Sequence, residues 1–418
     1  MRILYLHQHY SAPGGSTATR SHAMARALAA RGHAVTIACG RYAGAVTGLD
    51  GPFARGQRAG RVGAFDVVEF DIPCGNAQGL AARTTAFFRF ATRAAPLAHA
   101  ARFDLTIASS TPLTVAVPAL LAWRRARRPF LFEIRDPWPE LPRAMLRGHG
   151  LREAPLRAML AAMEPIATAA CRQARAVIAL SDGMAETAIA RGADPARVHV
   201  VPNGCDLDLF GPHIAPWRPP EARSGECLAV YAGAHGVANG LDQLLDAAAL
   251  LRDEARLRVL LVGEGGEKPR LMRRVRDEGL DNVTFLDPLP KTRLAMLLSG
   301  SQIGVHALGA VPAFAEWTSP NKLMDYLAAG LPAVTTVPGS AARLVEGGAD
   351  GPCGLAVAPG DAAALVGALR ALVADPARRA AMGRAARAIA VRRWDRRLLA
   401  ARFCDVVEAA LVAPHEAA

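Results

Sequence analysis

Short runs of consecutive apolar residues recur along this chain of 418 residues, and most are followed by a polar loop and a segment with helical spacing. The first run is RILYLH at 2–7, followed by the loop HQHYSAPGGST. A helical pattern, TRSHAMARALAARGH, comes next, with Gly32 as its stop, and AVTIACG at 34–40 is the following run. Strand, helix and strand in that order begin a doubly wound parallel sheet. Further strands are predicted at 67–72, 105–109, 130–134, 176–180 and 198–202, enough for one Rossmann-like domain over 1–205. The stretch DLDLFGPHIAPWRPPEARSGE, 206–226, is rich in proline and lacks periodicity, as a linker would be. The pattern then restarts at 228–233, 257–263, 283–287, 303–308, 332–336 and 354–359. It predicts a second Rossmann-like domain over 227–385. A helix and tail at 386–418, with Trp394 as anchor, are expected to pack back on the first domain. The expected fold is α/β, two such domains facing a central cleft, where ligands bind beyond the carboxyl ends of the strands. No short-period repeat is present, which excludes solenoids and propellers.

The stretch SPNKLMDYLAAGLPAVTT, 319–336, is punctuated at both ends. Ser319 is read as the N-cap and Pro320 as the first helical residue, followed by Asn321. Gly330 suits the left-handed position past the helix end, and Pro332 blocks continuation. Lys322 is then a cation in the first turn, where the dipole and unpaired N–H groups favour an anion. A bound phosphate would complete such a site; the other reading is a solvated surface lysine. Asp325 follows on the same face, placed for ribose hydroxyls.

Three glycine loops end strands. Gly14 and Gly15 follow the first, Gly233 to Gly236 the first strand of the second domain, and Gly263, Gly265 and Gly266 the next. Glycines let backbone N–H groups approach a phosphate or sugar, although a tight turn needs them equally. The GxGxxG dinucleotide fingerprint is absent. His235 could meet a phosphate or ribose, or stand solvated in its loop. In FEIRDPWPE, 132–140, prolines fix a charged loop at a strand end. Arg135 and Asp136 are candidates there for orienting an acceptor or sugar, or form a plain ion pair, while Glu133 alternates with the strand as a structural residue would. In residues 83–93, Phe87 and Phe90 share one helical face and Arg89 and Arg93 form a basic pair. That combination suits an anionic membrane surface or a lipid-acceptor wall, and equally a core face.

Composition narrows these readings. The formal charge is +12, carried mostly by arginine, but the basic residues are scattered without interleaved aromatics. This argues against nucleic-acid binding and fits anionic substrates or an anionic membrane. The seven cysteines are dispersed, with no CxxC pair, which argues for a reducing cytoplasm and against a zinc site or disulfide framework. Met1 leads directly into a strand pattern rather than a signal peptide, and the apolar run at 113–123 is too short to span a bilayer. A cytoplasmic protein, at most peripheral on the inner face of the membrane, is expected.

PGG with TRSHAMARALAARGH, then FEIRDPWPE, VIALSDGM, VHVVPNGCDLDLF, YAGAHG, LLVGEG and SPNKLMDYLAAGLP occur in an order that resembles the retaining glycosyltransferases of family 4, of GT-B fold. FEIRDPWPE and SPNKL resemble the subgroup similar to N-acetyl-L-fucosamine transferases of surface-polysaccharide synthesis. The resemblance implies a UDP-sugar or similar donor, held mainly by the C-terminal domain, a glycan or polyprenyl-linked acceptor, and retention of configuration. It puts Asp325 where the second Glu of the family's E-x7-E motif binds ribose. Trp317 occupies the first Glu's position, which leaves the neighbouring Glu316 as a candidate for contact with the sugar. The basic pair common near YAGAHG is replaced by His235, Val237 and Asn239, which shifts diphosphate charge onto Lys322. Lys322, the helix N-terminus and the glycine N–H groups can stabilise the leaving diphosphate without a metal or other cofactor. The alternatives are a UDP-sugar 2-epimerase of similar architecture and a non-enzymatic lipid- or polyanion-binding protein.

Overall fold

The computed structural model describes residues 1–15, 19–75, 78–146, 153–347 and 351–412. Ser16 and Thr17 of the first polar loop lie outside them. The chain divides into two compact units. One holds Met1–Pro202 and the chain from Arg397, and the other holds Asn203–Arg396.

The first unit runs β1 (Arg2–Leu6), α1 (Arg20–Ala30), β2 (Ala34–Tyr42), β3 (Gln57–Val62), β4 (Phe65–Cys74), α2 (Leu80–His99), β5 (Leu105–Ser109), α3 (Ala116–Ala126), β6 (Phe130–Ile134), α4 (Glu140–Ala144), α5 (Ala154–Gln173), β7 (Ala176–Ala179), α6 (Asp182–Ala190) and β8 (Val198–Val200). Among the described residues they form a sheet of order β3-β4-β2-β1-β5-β6-β7-β8. All neighbours are parallel except β3 and β4. β1, β5 and β6 are buried almost throughout because helices cover both faces of a parallel sheet. The strand not foreseen is β3. Its sequence, QRAGRV, is polar and its exposure alternates, as suits an antiparallel edge.

The second unit runs β9 (Cys227–Ala232), α7 (Asp242–Leu250), β10 (Leu257–Val262), α8 (Lys268–Asp277), β11 (Val283–Leu286), α9 (Lys291–Ser299), β12 (Ile303–His306), α10 (Asn321–Ala329), β13 (Ala333–Thr335), α11 (Ser340–Glu346), β14 (Gly354–Ala356), α12 (Ala362–Ala374) and α13 (Pro376–Ile389). Its parallel sheet has the order β11-β10-β9-β12-β13-β14. Residues 206–226 carry no strand or helix and are tied to this unit, with Trp217 N donating to Met296 O at 2.8 Å and Ser299 Oγ to Ile214 O at 2.6 Å. A final helix, α14 (Arg396–Val412), returns to the first unit. There Phe403 stacks on Tyr5 at 6.1 Å, and Glu408 accepts from Arg31 at 2.8 Å.

Chain order reverses between β1 and β5 in one sheet and between β9 and β12 in the other. Loops leaving those four strands therefore stand at the switch points where open α/β sheets hold ligands.

Candidate functional site

The switch point of the second unit collects the residues singled out in its sequence. α10 begins one residue later than its punctuation suggests. Pro320 is the N-cap, and the helix starts at Asn321. Ser319 does not cap the helix. Its Oγ accepts from the Asn203 backbone N–H at 2.9 Å, and its carbonyl accepts from Asn203 Nδ2 at 2.6 Å. The C-terminus is as expected, with Gly330 left-handed at φ 74°.

Lys322 lies in the first turn of α10, half-buried. Its Nζ donates to Tyr231 Oη at 2.8 Å and stands 4.1 Å from the centre of that ring. Tyr231 Oη in turn donates to Ala234 O at 2.8 Å. Among the described residues no carboxylate partners Lys322, and burial alone pulls its pKa from 10.5 down to about 7. A lysine with only a phenol for company is a site that gains from an anion.

The glycine loops close around it. A Cβ on Gly233 would stand 3.0 Å from Lys322 Nζ, which shows how closely the backbone passes the cation. Gly263 has φ 143°, and its Cβ would fall 1.9 Å from Gly233 O, so only glycine fits. Gly263→Ala is therefore expected to destabilise the second unit by about 2 kcal/mol through backbone strain, read as a lowered thermal midpoint. Gly265 lies against the carbonyl of His235. His235 is fully buried rather than solvated, and neither of its ring nitrogens makes a well-formed hydrogen bond. Burial, with Lys268 adding to it, lowers its pKa to about 4.

A second imidazole was not foreseen. His306 ends β12, fully buried, with Nδ1 3.0 Å from Thr335 Oγ1 and Nε2 unpartnered. Burial and then Lys322 lower its pKa to about 3. The available signal was a polar residue closing an apolar strand, IGVHAL, beside the switch point.

The acidic candidates part company. Asp325 is buried one turn along α10, where Oδ2 accepts from Lys291 Nζ at 2.8 Å and Oδ1 has no partner. Lys291, which was also unforeseen, starts α9. Glu316 accepts from Arg343 at 2.9 and 3.1 Å in an exposed pair, so its carboxylate is already engaged.

Gly14, Gly15, Arg135 and Asp136 belong to the first unit. Gly14 has open space where a Cβ would stand, whereas Gly15 is hemmed in by Ser11 and Gly44. Arg135 and Asp136 do not form the ion pair considered from the sequence. Arg135 Nη1 donates to His7 Nε2 at 2.6 Å, and Asp136 accepts from Thr111 Oγ1. Asp136 and Trp138 line a small pocket with Ser110, Phe132, Cys171 and Arg191. Glu133 is structural. It is fully buried and accepts from Arg20 Nε at 2.8 Å, Tyr5 Oη at 2.9 Å and Ser109 Oγ at 2.5 Å.

Residues 83–93 fall within α2, but their aromatic face is core. Phe87 and Phe90 are buried, and Phe90 packs edge-on against Phe70 at 5.8 Å. Of the two readings the spacing left open for Phe87 and Phe90, the core face is the one observed. Phe88 alone of the three is exposed, and Arg93 donates to Arg55 O at 3.0 Å. Among the described residues no helix is long and apolar enough to cross a membrane.

Residues 15–204 match the family model described as a glycosyl transferase 4-like domain, and residues 226–375 match the model of glycosyl transferases group 1. The chain belongs to the family 4 glycosyltransferases of GT-B fold. A D-inositol 3-phosphate glycosyltransferase of Gordonia bronchialis is 34% identical over 218 residues, 49% of this chain and 46% of that protein. A putative colanic acid biosynthesis glycosyl transferase, WcaI, of Escherichia coli K12 is 32% identical over 172 residues, 38% of this chain and 40% of that protein. The chain thus spans about half the length, or less, of these curated relatives. The Anabaena Alr3699/HepE structure in complex with UDP-glucose shares the fold, with a TM-score of 0.67 and 21% identity, covering 98% of this chain and 100% of that one.

Proposed function

We propose that this family 4 member is a retaining glycosyltransferase that moves a sugar from a UDP-sugar to a glycan or polyprenyl-linked saccharide in cell-surface polysaccharide synthesis. The observation that carries the reading is Lys322, a cation without a carboxylate partner among the described residues, at the start of α10 and pressed against Gly233. As the sugar C1–O bond breaks, negative charge gathers on the diphosphate. Lys322, the first-turn N–H groups of α10 and the backbone of the glycine loops supply the opposing charge. That donor set does the work a metal would otherwise do, so turnover is proposed to be metal-independent. Asp325 has a free Oδ1 for a ribose hydroxyl while Lys291 holds Oδ2. Retention follows from attack on the face the diphosphate leaves. The UDP-glucose named for the Anabaena structure and the colanic acid role named for the Escherichia coli relative support the donor and product class. All seven cysteines are free and buried, which suits a reducing cytoplasm.

A thermal-shift screen tests the donor. A ligand that binds only the folded state raises the midpoint, so UDP-sugars are expected to raise it and GDP- or ADP-sugars to leave it unchanged; the reverse pattern overturns the assignment. Asp325→Asn is expected to weaken UDP and uridine alike, by roughly tenfold, because the lost contact is to ribose. Calorimetry reads both ligands, and unchanged affinities would remove Asp325 from the ribose site.

A further inference from the structure

The chain passes from one unit to the other after Pro202 and again after Arg396. On the second unit's side the two passages are bonded to each other. Cys205 N donates to Trp394 O at 2.8 Å, Arg396 N to Cys205 O at 2.9 Å, and Arg396 Nη2 to Gly204 O at 2.8 Å. The segment 203–210 that begins there holds no strand or helix, so its path is set by what it touches. Along its length it touches α10. At the start of that helix, Asn203 donates through its backbone N–H to Ser319 Oγ at 2.9 Å and through Nδ2 to Ser319 O at 2.6 Å. In the last turn, Arg387 Nη1 donates both to Phe210 O at 2.8 Å and to Ala328 O at 2.7 Å. Between them Lys291 Nζ stands 5.4 Å from the centre of the Phe210 ring while it donates to Asp325.

The two ends of α10 differ in what else secures them. The C-terminus closes on its own left-handed Gly330. The start has no capping side chain, because Pro320 is the N-cap and has no oxygen to offer. Ser319, the neighbour whose hydroxyl could cap, spends it on Asn203. An uncapped first turn keeps its N–H groups for another acceptor, but it also frays. A site that meets charge as it develops needs its donors fixed beforehand. Asn203 is 6% exposed, so its bonds to Ser319 are shielded from water.

We propose that Asn203 is a positioning residue for the diphosphate. By clipping Ser319 to the segment 203–210 it fixes the first turn of α10, and with it Lys322, where the leaving phosphate is met. This deepens the donor site of the proposed glycosyltransferase and rests on that reading. It makes the chain's entry into the second unit part of the support of the phosphate site.

The test is calorimetry with UDP and uridine at pH 6.5 on the full chain. The variants are Asn203→Ala, Ser319→Ala, Lys322→Ala and the double variant Asn203→Ala with Lys322→Ala. Asn203→Ala is expected to bind UDP roughly three- to tenfold more weakly than wild type, the loss of one buried neutral hydrogen bond. Uridine is expected to stay within about twofold of wild type, since Lys291 and Arg387 still hold the rest of α10. Ser319→Ala removes the other bond of the clip and is expected to act in the same direction. In the Lys322→Ala background, Asn203→Ala should weaken UDP by a smaller factor than it does in wild type, because it acts through the turn that carries Lys322. The proposal is overturned if Asn203→Ala binds UDP as wild type does, or if uridine weakens by the same factor as UDP, the mark of a general loss of structure. It is also overturned if the Asn203 and Lys322 substitutions are additive, which would separate Asn203 from that turn. If Asn203→Ala does not fold, wild-type UDP affinity in Ser319→Ala overturns it. Wild type that fails to bind UDP at all overturns the proposed function instead.

Discussion

Replacing Lys322 with alanine is expected to lower turnover roughly 10²- to 10³-fold, the cost of removing one group that stabilises charge as it develops. Among the described residues the other lysine beside His235, Lys268, is already paired with Glu264 at 3.2 Å and Asp287 at 2.7 Å, so it is not free to take over. Tyr231 is a neutral phenol, burial holds His235 and His306 neutral, with pKa values near 4 and 3, and Asp325 is matched by Lys291. The pH dependence is a second readout of the same residue. With a pKa of about 7 in the free protein, Lys322 is charged below that pH and largely neutral above it. A bound diphosphate favours the charged form, so binding above pH 7 must take up a proton. UDP affinity is expected to fall with rising pH, by up to about tenfold per unit. Lys322→Ala should lose that slope along with the activity. The two histidines titrate below this window and Tyr231 is raised above it by burial, so neither supplies the slope. A variant with near-normal turnover at saturating donor would remove Lys322 from the reaction.

Glu133→Ala is expected to destabilise the first unit by about 3–5 kcal/mol, the penalty for leaving a buried charge without its partner. Arg20 is 2% exposed, and its other contacts are the carbonyls of Pro202 at 2.6 Å and Val201 at 2.8 Å. Neither can neutralise it. The variant also strips Tyr5 and Ser109 of their acceptor. Burial on its own would raise the Glu133 pKa, but Arg20, Arg135 and the Ser109 hydrogen bond outweigh it and hold the carboxyl below its ordinary 4.5. A carboxylate with a lowered native pKa stabilises the fold above the unfolded value and loses that contribution as pH falls through the native one. The gap between wild type and Glu133→Ala in chemical denaturation should therefore be constant near neutrality and narrow below about pH 4. A variant within 1 kcal/mol of wild type at pH 7 would contradict the buried-pair assignment.

What the sequence disclosed follows from how strongly each feature is marked. Parallel strands buried on both faces read as uninterrupted apolar runs, so β1, β5, β6, β9 and β10 were plain. β3 was hidden because an exposed edge strand needs no apolar face. Lys322 stood out because a helix start punctuated by proline makes a cation conspicuous. The cap itself moved from Ser319 to Pro320 because the Ser319 oxygens are taken by Asn203, which is distant in sequence. Phe87 and Phe90 fitted a membrane face as well as a core face, since spacing alone cannot say what covers an aromatic stripe. Pairings across the fold were equally out of reach, among them Lys291 with Asp325, Arg343 with Glu316 and Arg135 with His7. Each joins residues that only the sheet order brings together.

The central claim is that the second unit holds a nucleoside diphosphate through Lys322, and calorimetry with UDP and uridine at pH 6.5 reaches it most directly. Wild type should bind UDP at least about tenfold more tightly than uridine, since a charged hydrogen bond to phosphate is worth about 1.5–3 kcal/mol. Lys322→Ala should bring UDP down toward uridine while leaving uridine unchanged. Equal UDP affinity in wild type and Lys322→Ala would contradict it.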